Sequence, residues 1–485
     1  VSTSDDTDKE QNKRDFILYP ARYIVLSCVT MAALSSTMQW ITFTSMTSAT
    51  ARFYCNQTIE DETCRPAFWT NQIFQVATVA FGILGMYVTD RYGIKVSSRT
   101  ACALNLLGAI LRCISGIPIL SLTFRLVFLY FGSFIVALSQ PFILILPPKV
   151  AEFWFPENHR AVANVVAYLS NPLGVSLGTI LPIALLNQDN VTIDSYDFLV
   201  LNGAFVLLPA VAFVLSMMIK RGSPPTPPSE SADKTYEMPS FFRGLLITLN
   251  QKQFYPVLVL FSFAFGLLWS LVVTGDQLFV DLGYPPLFWA WTIAAQSMIG
   301  AGASLAVGVI LDKTRKFKEF ARISTAAFCI TALTFCIYVR HSYAGMRDCI
   351  AVGILVTLLS IFATPMYPVG FELGIETTFP VQEATSSGVL VVSASLVLMF
   401  LNHLIVTLKE ITSGVGGGFY YGLTFNWPAV SGSTYLALDV WFLLSFIAGV
   451  VAFTCLRPRY KRMEYERKLK EDTTHLPSQN QEPNK

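Results

Sequence analysis

Apolar runs of about twenty residues or more, separated by short polar connectors, occupy most of the chain. They fall at approximately 22–48, 68–89, 100–120, 124–147, 162–186, 197–219, 254–280, 286–311, 321–339, 349–371, 384–407 and 434–456. Each is long enough to cross a hydrocarbon layer about 30 Å thick as an α-helix. The pattern therefore predicts an all-α membrane protein of twelve transmembrane helices. Three polar segments frame them: 1–17, 220–253 and 457–485. The middle one, which contains KRGSPPTPPSESADKTYEMPS, is too polar and Pro-rich to build a core and is expected to be a linker. The predicted organisation is thus an N-terminal tail, a six-helix bundle over 18–219, the linker, a second bundle over 254–456 and a C-terminal tail.

Composition agrees with the pattern: 53% of residues are hydrophobic and only 14% charged. A net charge of +2, with Lys and Arg in scattered short clusters, gives no footprint for nucleic acid. The first seventeen residues show no signal-peptide pattern, so the first span is expected to direct insertion. With the N-terminus placed in the cytoplasm, the connectors on that side collect Arg91, Lys95, Arg99, Lys149, Arg160 and the clusters within 220–252 and 313–322. This is the positive-inside bias, and the tail RPRYKRMEYERKLK adds to it, so both termini are expected to be cytoplasmic.

On the opposite side, Cys55 and Cys64 bracket the polar loop CNQTIEDETC, where a disulfide suits an oxidising compartment. The sequons at Asn56 and Asn190 fall on the same side. A glycosylated outer face fits the plasma membrane first and the lysosomal membrane second. Cys28, Cys102, Cys113, Cys329, Cys336 and Cys455 lie in apolar stretches and read as small buried hydrophobes.

The two halves echo each other letter by letter. Asp90-Arg91-Tyr92-Gly93-Ile94-Lys95 follows the second span, and Asp312-Lys313-Thr314-Arg315-Lys316 follows the eighth. Glu152-Phe153-Trp154-Phe155-Pro156 follows the fourth, and Glu376-Thr377-Thr378-Phe379-Pro380 the tenth. A duplicated six-helix unit with parallel halves has the major facilitator architecture. The loop after the second span resembles the signature of that superfamily, with Asp90, Arg91, Gly93 and Lys95 in place and Met86 where a Gly is expected. That resemblance implies gating roles for Asp90, Arg91 and Asp312, and the repeat extends them to Glu152 and Glu376.

Further runs carry a closer likeness: Gln39-Trp40-Ile41, ALSQPFILILPPKVAEFWFPENHRAVAN, SNPLG at 170–174 and Tyr367-Pro368-Val369-Gly370-Phe371-Glu372-Leu373-Gly374-Ile375-Glu376. They resemble solute carrier family 49, the feline leukaemia virus subgroup C receptor family, and most of all its third, major facilitator domain-containing branch. The better-understood members are regarded as choline and ethanolamine transporters, with haem export an older proposal. The resemblance implies a pocket lined by Trp40, Gln140, the helix-seven aromatic Trp269 and the helix-eleven position Ser395, with Gln39 and Gln277 beside it. Trp269 stands where relatives have Tyr, and Ser395 where they have Gln, which removes an amide.

Chemistry makes such a pocket sensible, because a quaternary ammonium has no strong donor to offer and aromatic faces attract it by cation–π contact. Trp40 and Trp269 lie well inside their spans, whereas Trp289 and Trp291 are expected at the lipid interface. Asp276, Arg112, Glu372 and His403 are the remaining ionisable groups within spans. For Arg112 and Glu372 structural pairing is expected; His403 could carry a proton. No P-loop, nucleophile elbow or metal-ligand spacing is present, so neither an enzyme, a cofactor nor a bound metal is expected. The expectation is a monomeric secondary transporter of a small organic solute; a haem carrier and a non-transporting receptor or scaffold are the alternatives.

Overall fold

The computed structural model describes residues 18–56, 64–156, 159–185, 196–226, 239–285, 287–414, 432–464 and 467. Its elements are helices α1 Ala21–Ile41, α2 Thr47–Cys55, α3 Pro66–Ser115, α4 Leu122–Ala137, α5 Gln140–Ile143, α6 Leu146–Trp154, α7 Arg160–Leu185 and α8 Asp197–Met218, then α9 Phe241–Asn250, α10 Phe254–Asp281, α11 Phe288–Thr314, α12 Phe317–His341, α13 Met346–Ala363, α14 Met366–Thr378, α15 Glu383–Gly414 and α16 Gly432–Cys455. Among the described residues eleven helical stretches are long and apolar enough to cross a membrane. One of them, the 50-residue α3, turns at Gly93 (φ 78°, ψ −179°) and supplies two spans, which gives the twelve expected. Only glycine reaches that backbone conformation at little cost.

The chain divides into two compact units, one of residues Val1–Ala77 and Leu84–Glu237, the other of Thr78–Ile83 and Met238–Lys485. In the first, α1 packs along α7 and α8. Close approach of α1 to α7 depends on Gly174 and Gly178, where an added Cβ would meet the Leu34 and Met38 carbonyls at 2.6 and 2.7 Å. In the second unit α10 packs along α15, and α12 lies against α13 and α16.

Several sequence expectations change. The fourth and tenth spans are each broken: α4, α5 and α6 replace one, α13 and α14 the other. Prolines explain both, since Pro141, Pro147 and Pro148 interrupt the first and Pro365 the second by withholding backbone donors. Both α6 and α14 stop just before the repeated Phe-Pro, as the restricted residue ahead of proline requires. The first span ends at Ile41 rather than 48, and α2 follows it.

The linker is not structureless throughout: α9 forms within it, with Phe242 and Leu246 exposed and Gly244 and Thr248 buried. Its first residues pack too, the Trp154 indole donating to the Gly222 carbonyl at 3.3 Å.

Candidate functional site

In the first unit Trp40 closes the last turn of α1 and is 5% exposed. Its preceding neighbour is held from α3. The Gln39 amide donates to Asn105 Oδ1 at 2.8 Å, and the Asn105 amide in turn donates to Ser35 Oγ at 2.6 Å. Gln39 is thereby tied to α3 through its amide nitrogen, while its Oε1, buried, has no hydrogen-bond partner among the described residues. Arg112, 3% exposed, donates to the Gln39 backbone carbonyl at 2.7 Å and lies 4.8 Å over the Phe43 ring.

The expected acidic partner of Arg112 is not there; no carboxylate pairs with it among the described residues. The guanidinium instead caps the C-terminus of α1, where the last carbonyls lack intrahelical donors and the helix dipole favours a cation. Gln140 is buried at the start of α5, the short piece between the two breaks of the fourth span, and α5 packs against α1.

In the second unit Trp269 is also 5% exposed and donates its indole N–H to the Tyr367 hydroxyl. Phe265 lies beside both, 6.4 Å from Trp269 and 5.1 Å from Tyr367 by ring centroids, and Phe261 lies 5.9 Å from Tyr367. Tyr367 sits in the first turn of α14, immediately after the break at Pro365. Sequence reasoning quoted Tyr367 within a motif and gave it no role. The break that turns it toward α10 was the missing signal, and Pro365 announces it. Ser395 is buried on α15, and Asp276 and Gln277 are half-buried near the end of α10.

Two of the charged groups assigned to gating, Asp90 and Glu376, lie in ion-paired clusters, one in each unit. Asp90 is paired with Lys149 at 2.8 Å, its side chain 2% exposed, and the same ammonium donates to the Thr89 carbonyl at 2.7 Å. Lys149 is thus a buried helical residue of α6 and not a loop cation. Arg91 is exposed and Glu152 half-buried. The side chain of Asp312 lies outside the described residues, as does Asn190.

In the second unit Arg462 bridges three carboxylates: Glu372 at 2.9 Å, Glu376 at 3.1 Å and Glu383 at 3.2 Å. The Met463 N–H adds a bond to Glu376 at 3.2 Å. Glu372 and Glu376 are four residues apart on α14 and share a face, and Glu383 opens α15. Arg462 belongs to the segment expected to be a free tail. That segment is docked, because the Tyr460 hydroxyl also accepts the Lys318 N–H at 3.2 Å and burial pushes the phenol pKa up.

Other expectations resolve individually. Cys55 and Cys64 are disulfide-bonded, with Cα atoms 6.1 Å apart. Asn56 is exposed in a left-handed conformation at the end of α2. Cys28, Cys102 and Cys336 are buried, whereas Cys113 and Cys329 are half-buried and Cys455 is exposed. Trp291 is 55% exposed. Trp289 is not: it is 2% exposed, stacked 4.7 Å from Phe279, with its indole donating to the Val272 carbonyl. Helical geometry turns residues two apart to opposite sides, which separates the pair. His403 is exposed, away from either buried cluster.

A sequence model of the Major Facilitator Superfamily matches residues 25–367. The chain belongs to this superfamily. Solute carrier family 49 member A3 of Xenopus tropicalis is 28% identical over 79% of this chain and 77% of its own length. The member A3 of Danio rerio is 26% identical, covering 82% and 81%. A choline/ethanolamine transporter of Danio rerio is 25% identical, covering 78% and 76%. These relatives bear out the resemblance to solute carrier family 49. Among solved structures, a bacterial homologue of the human lysosomal transporter Spinster aligns with a TM-score of 0.59 and 14% identity over 90% of this chain and 97% of its own, which establishes the fold. The chain is a multi-pass membrane transporter with a small-molecule substrate and the bilayer as its medium.

Proposed function

We propose that this transporter moves a small organic cation of the choline or ethanolamine kind by alternating access. The observation that carries the reading is the aromatic face formed by buried Trp269 with half-buried Phe265 and Tyr367 beside the break in the tenth span. Such a face binds a quaternary ammonium by cation–π attraction, about 2 kcal/mol per ring when dry. Relatives named as choline/ethanolamine transporters support the same substrate class. Trp40, Gln39, Gln140, Trp269, Gln277 and Ser395 are the substrate-contacting residues in this reading, and Asp90, Arg91, Glu152, Asp312 and Glu376 the gating ones. Haem is disfavoured, since its propionates need basic partners and Arg112 is occupied in capping α1. In this reading the face bearing the Asn56 and Asn190 sequons is the outer one and both termini are cytoplasmic, in the plasma membrane first and the lysosomal membrane second.

Two measurements test this. Choline or ethanolamine should raise the melting temperature of the purified protein by mass action, and haem should not. Labelled choline should enter proteoliposomes, and Trp40→Ala or Trp269→Ala should weaken its binding about thirtyfold, the loss of one ring contact. Absence of both a thermal shift and uptake removes this substrate class and moves the receptor reading ahead.

A further inference from the structure

The linker helix α9 divides into three arcs. At about 100° per residue, Phe242, Leu246 and Leu249 fall within about 60° of one another, and they are 65%, 60% and 41% exposed. Gly244 and Thr248 lie on the far side and are buried. A Cβ at Gly244 would meet Val381 Cγ1 at 3.2 Å, so this side is seated at the start of α15. Arg243 and Asn250 form the third arc, both exposed, and Ile247 falls between Arg243 and the seated side. From 239 to 253 the only charged residues are Arg243 and Lys252, and Lys252 is exposed too.

Position decides what covers the apolar arc. The helix rises about 15 Å from end to end, half the depth of a hydrocarbon core, so it is too short to cross one. It lies at the ends of two spans: three residues separate it from α10, and Val381 stands two residues before α15 begins. The Tyr255 hydroxyl, in the first turn of α10, donates to the Leu249 carbonyl at 2.6 Å. Tyr255 is itself 47% exposed, so the exposed surface runs on from Leu249 to a membrane span. Gln251 is extended between the two helices (φ −81°, ψ 102°), so the chain leaves one helix axis before it enters the next. These contacts hold α9 where hydrocarbon gives way to headgroups. There an exposed apolar arc meets acyl chains, and cations beside it meet lipid phosphates.

We infer that α9 is an interfacial helix of the transporter's own membrane, with Phe242, Leu246 and Leu249 in the acyl boundary and Arg243 and Lys252 on anionic headgroups. The full-length protein is reconstituted into phosphatidylcholine vesicles, and the emission that Leu246→Trp or Asn250→Trp adds to that of the parent is read. Both positions are exposed, so neither change disturbs the seat on α15. Phosphatidylcholine brominated near the headgroup end of its acyl chains should quench the Leu246→Trp increment, and aqueous acrylamide should leave it. Asn250→Trp should show the reverse. Brominated phosphatidylserine should quench the Leu246→Trp increment at about one-fifth of the mole fraction that phosphatidylcholine needs, the worth of one basic residue near anionic headgroups. Adding Arg243→Gln and Lys252→Gln should abolish that preference. A Leu246→Trp increment quenched by acrylamide and not by bromine overturns the assignment, because the arc then faces water. An increment that neither quencher reaches overturns it as well, because protein then covers the arc. Equal quenching by the two brominated lipids before the charges are removed overturns the headgroup contact.

Discussion

The two units solve one electrostatic problem in different ways. In the first, Asp90 is met by Lys149, and both lie in helices of the unit. In the second, three carboxylates on α14 and α15 converge on Arg462, which arrives from beyond the last span. The lysine partner of the first belongs to a helix of the bundle. The arginine partner of the second does not, so the stability of the second unit is tied to residues that composition marks as tail. The units agree where charge is not in question: Arg99 donates to the Ile219 carbonyl at 3.1 Å at the end of α8, and Arg322 to the Leu456 carbonyl at 2.8 Å beyond α16. These two arginines stand 223 positions apart, the spacing of the repeat, and cap equivalent helices.

The sharpest way to break the comparison is Arg462→Ala. It leaves Glu376, 2% exposed, beside two other carboxylates with no counterion from the tail. Removing one partner of a buried ion pair costs about 3–5 kcal/mol, and the partial exposure of Glu372 and Glu383 places this variant near the lower end. A fall in thermal midpoint is expected, with partial recovery in Arg462→Ala/Glu376→Gln. Equal midpoints for parent and variant would mean that the tail contact contributes nothing.

Lys149→Ala is the matched test in the first unit. Here one carboxylate loses its lysine rather than three losing their arginine, and the Thr89 carbonyl also loses a donor, so a cost of about 2–3 kcal/mol is expected. Asp90→Asn in the same background should restore about half of it, since a neutral amide no longer needs the ammonium. A larger loss than in Arg462→Ala would reverse the ranking of the two units.

Much of this was readable in the residues. Long apolar runs set the twelve spans, and the repeated Phe-Pro marked where α6 and α14 end. The partners within the clusters were less legible. Lys149 follows Pro147-Pro148 and looks like a connector cation; only the proline breaks, which continue the helix as α6, carry it back into a buried position. Arg462 stands in RPRYKRMEYERKLK, where nothing local distinguishes it from its basic neighbours. What selects it is the convergence of Glu372, Glu376 and Glu383, and a contact between positions 79 to 90 apart leaves no periodic trace. Arg112 was legible as an intramembrane charge, but its partner is a backbone carbonyl, which every residue possesses and no pattern advertises.

The smallest effect separates how the two tryptophans are held. Trp40 is flanked by a glutamine whose side chain and carbonyl are both fixed from α3, so its position follows from the backbone of α1. Trp269 is fixed through its own indole, by the Tyr367 hydroxyl. Tyr367→Phe keeps the ring and removes that acceptor, a loss of one hydrogen bond at a cost of about 0.5–1.5 kcal/mol. If the indole rotates to regain a partner, the stability cost falls to the low end while the aromatic face loses its orientation. Ligand affinity should then drop about threefold with little change in thermal midpoint. Asn105→Ala should show the opposite balance, a lower midpoint with a smaller change in affinity, because Trp40 keeps its cap from Arg112. Identical profiles for the two variants would show that the second unit does not rely on its side-chain hydrogen bond, and the contrast between the two aromatic anchors would disappear.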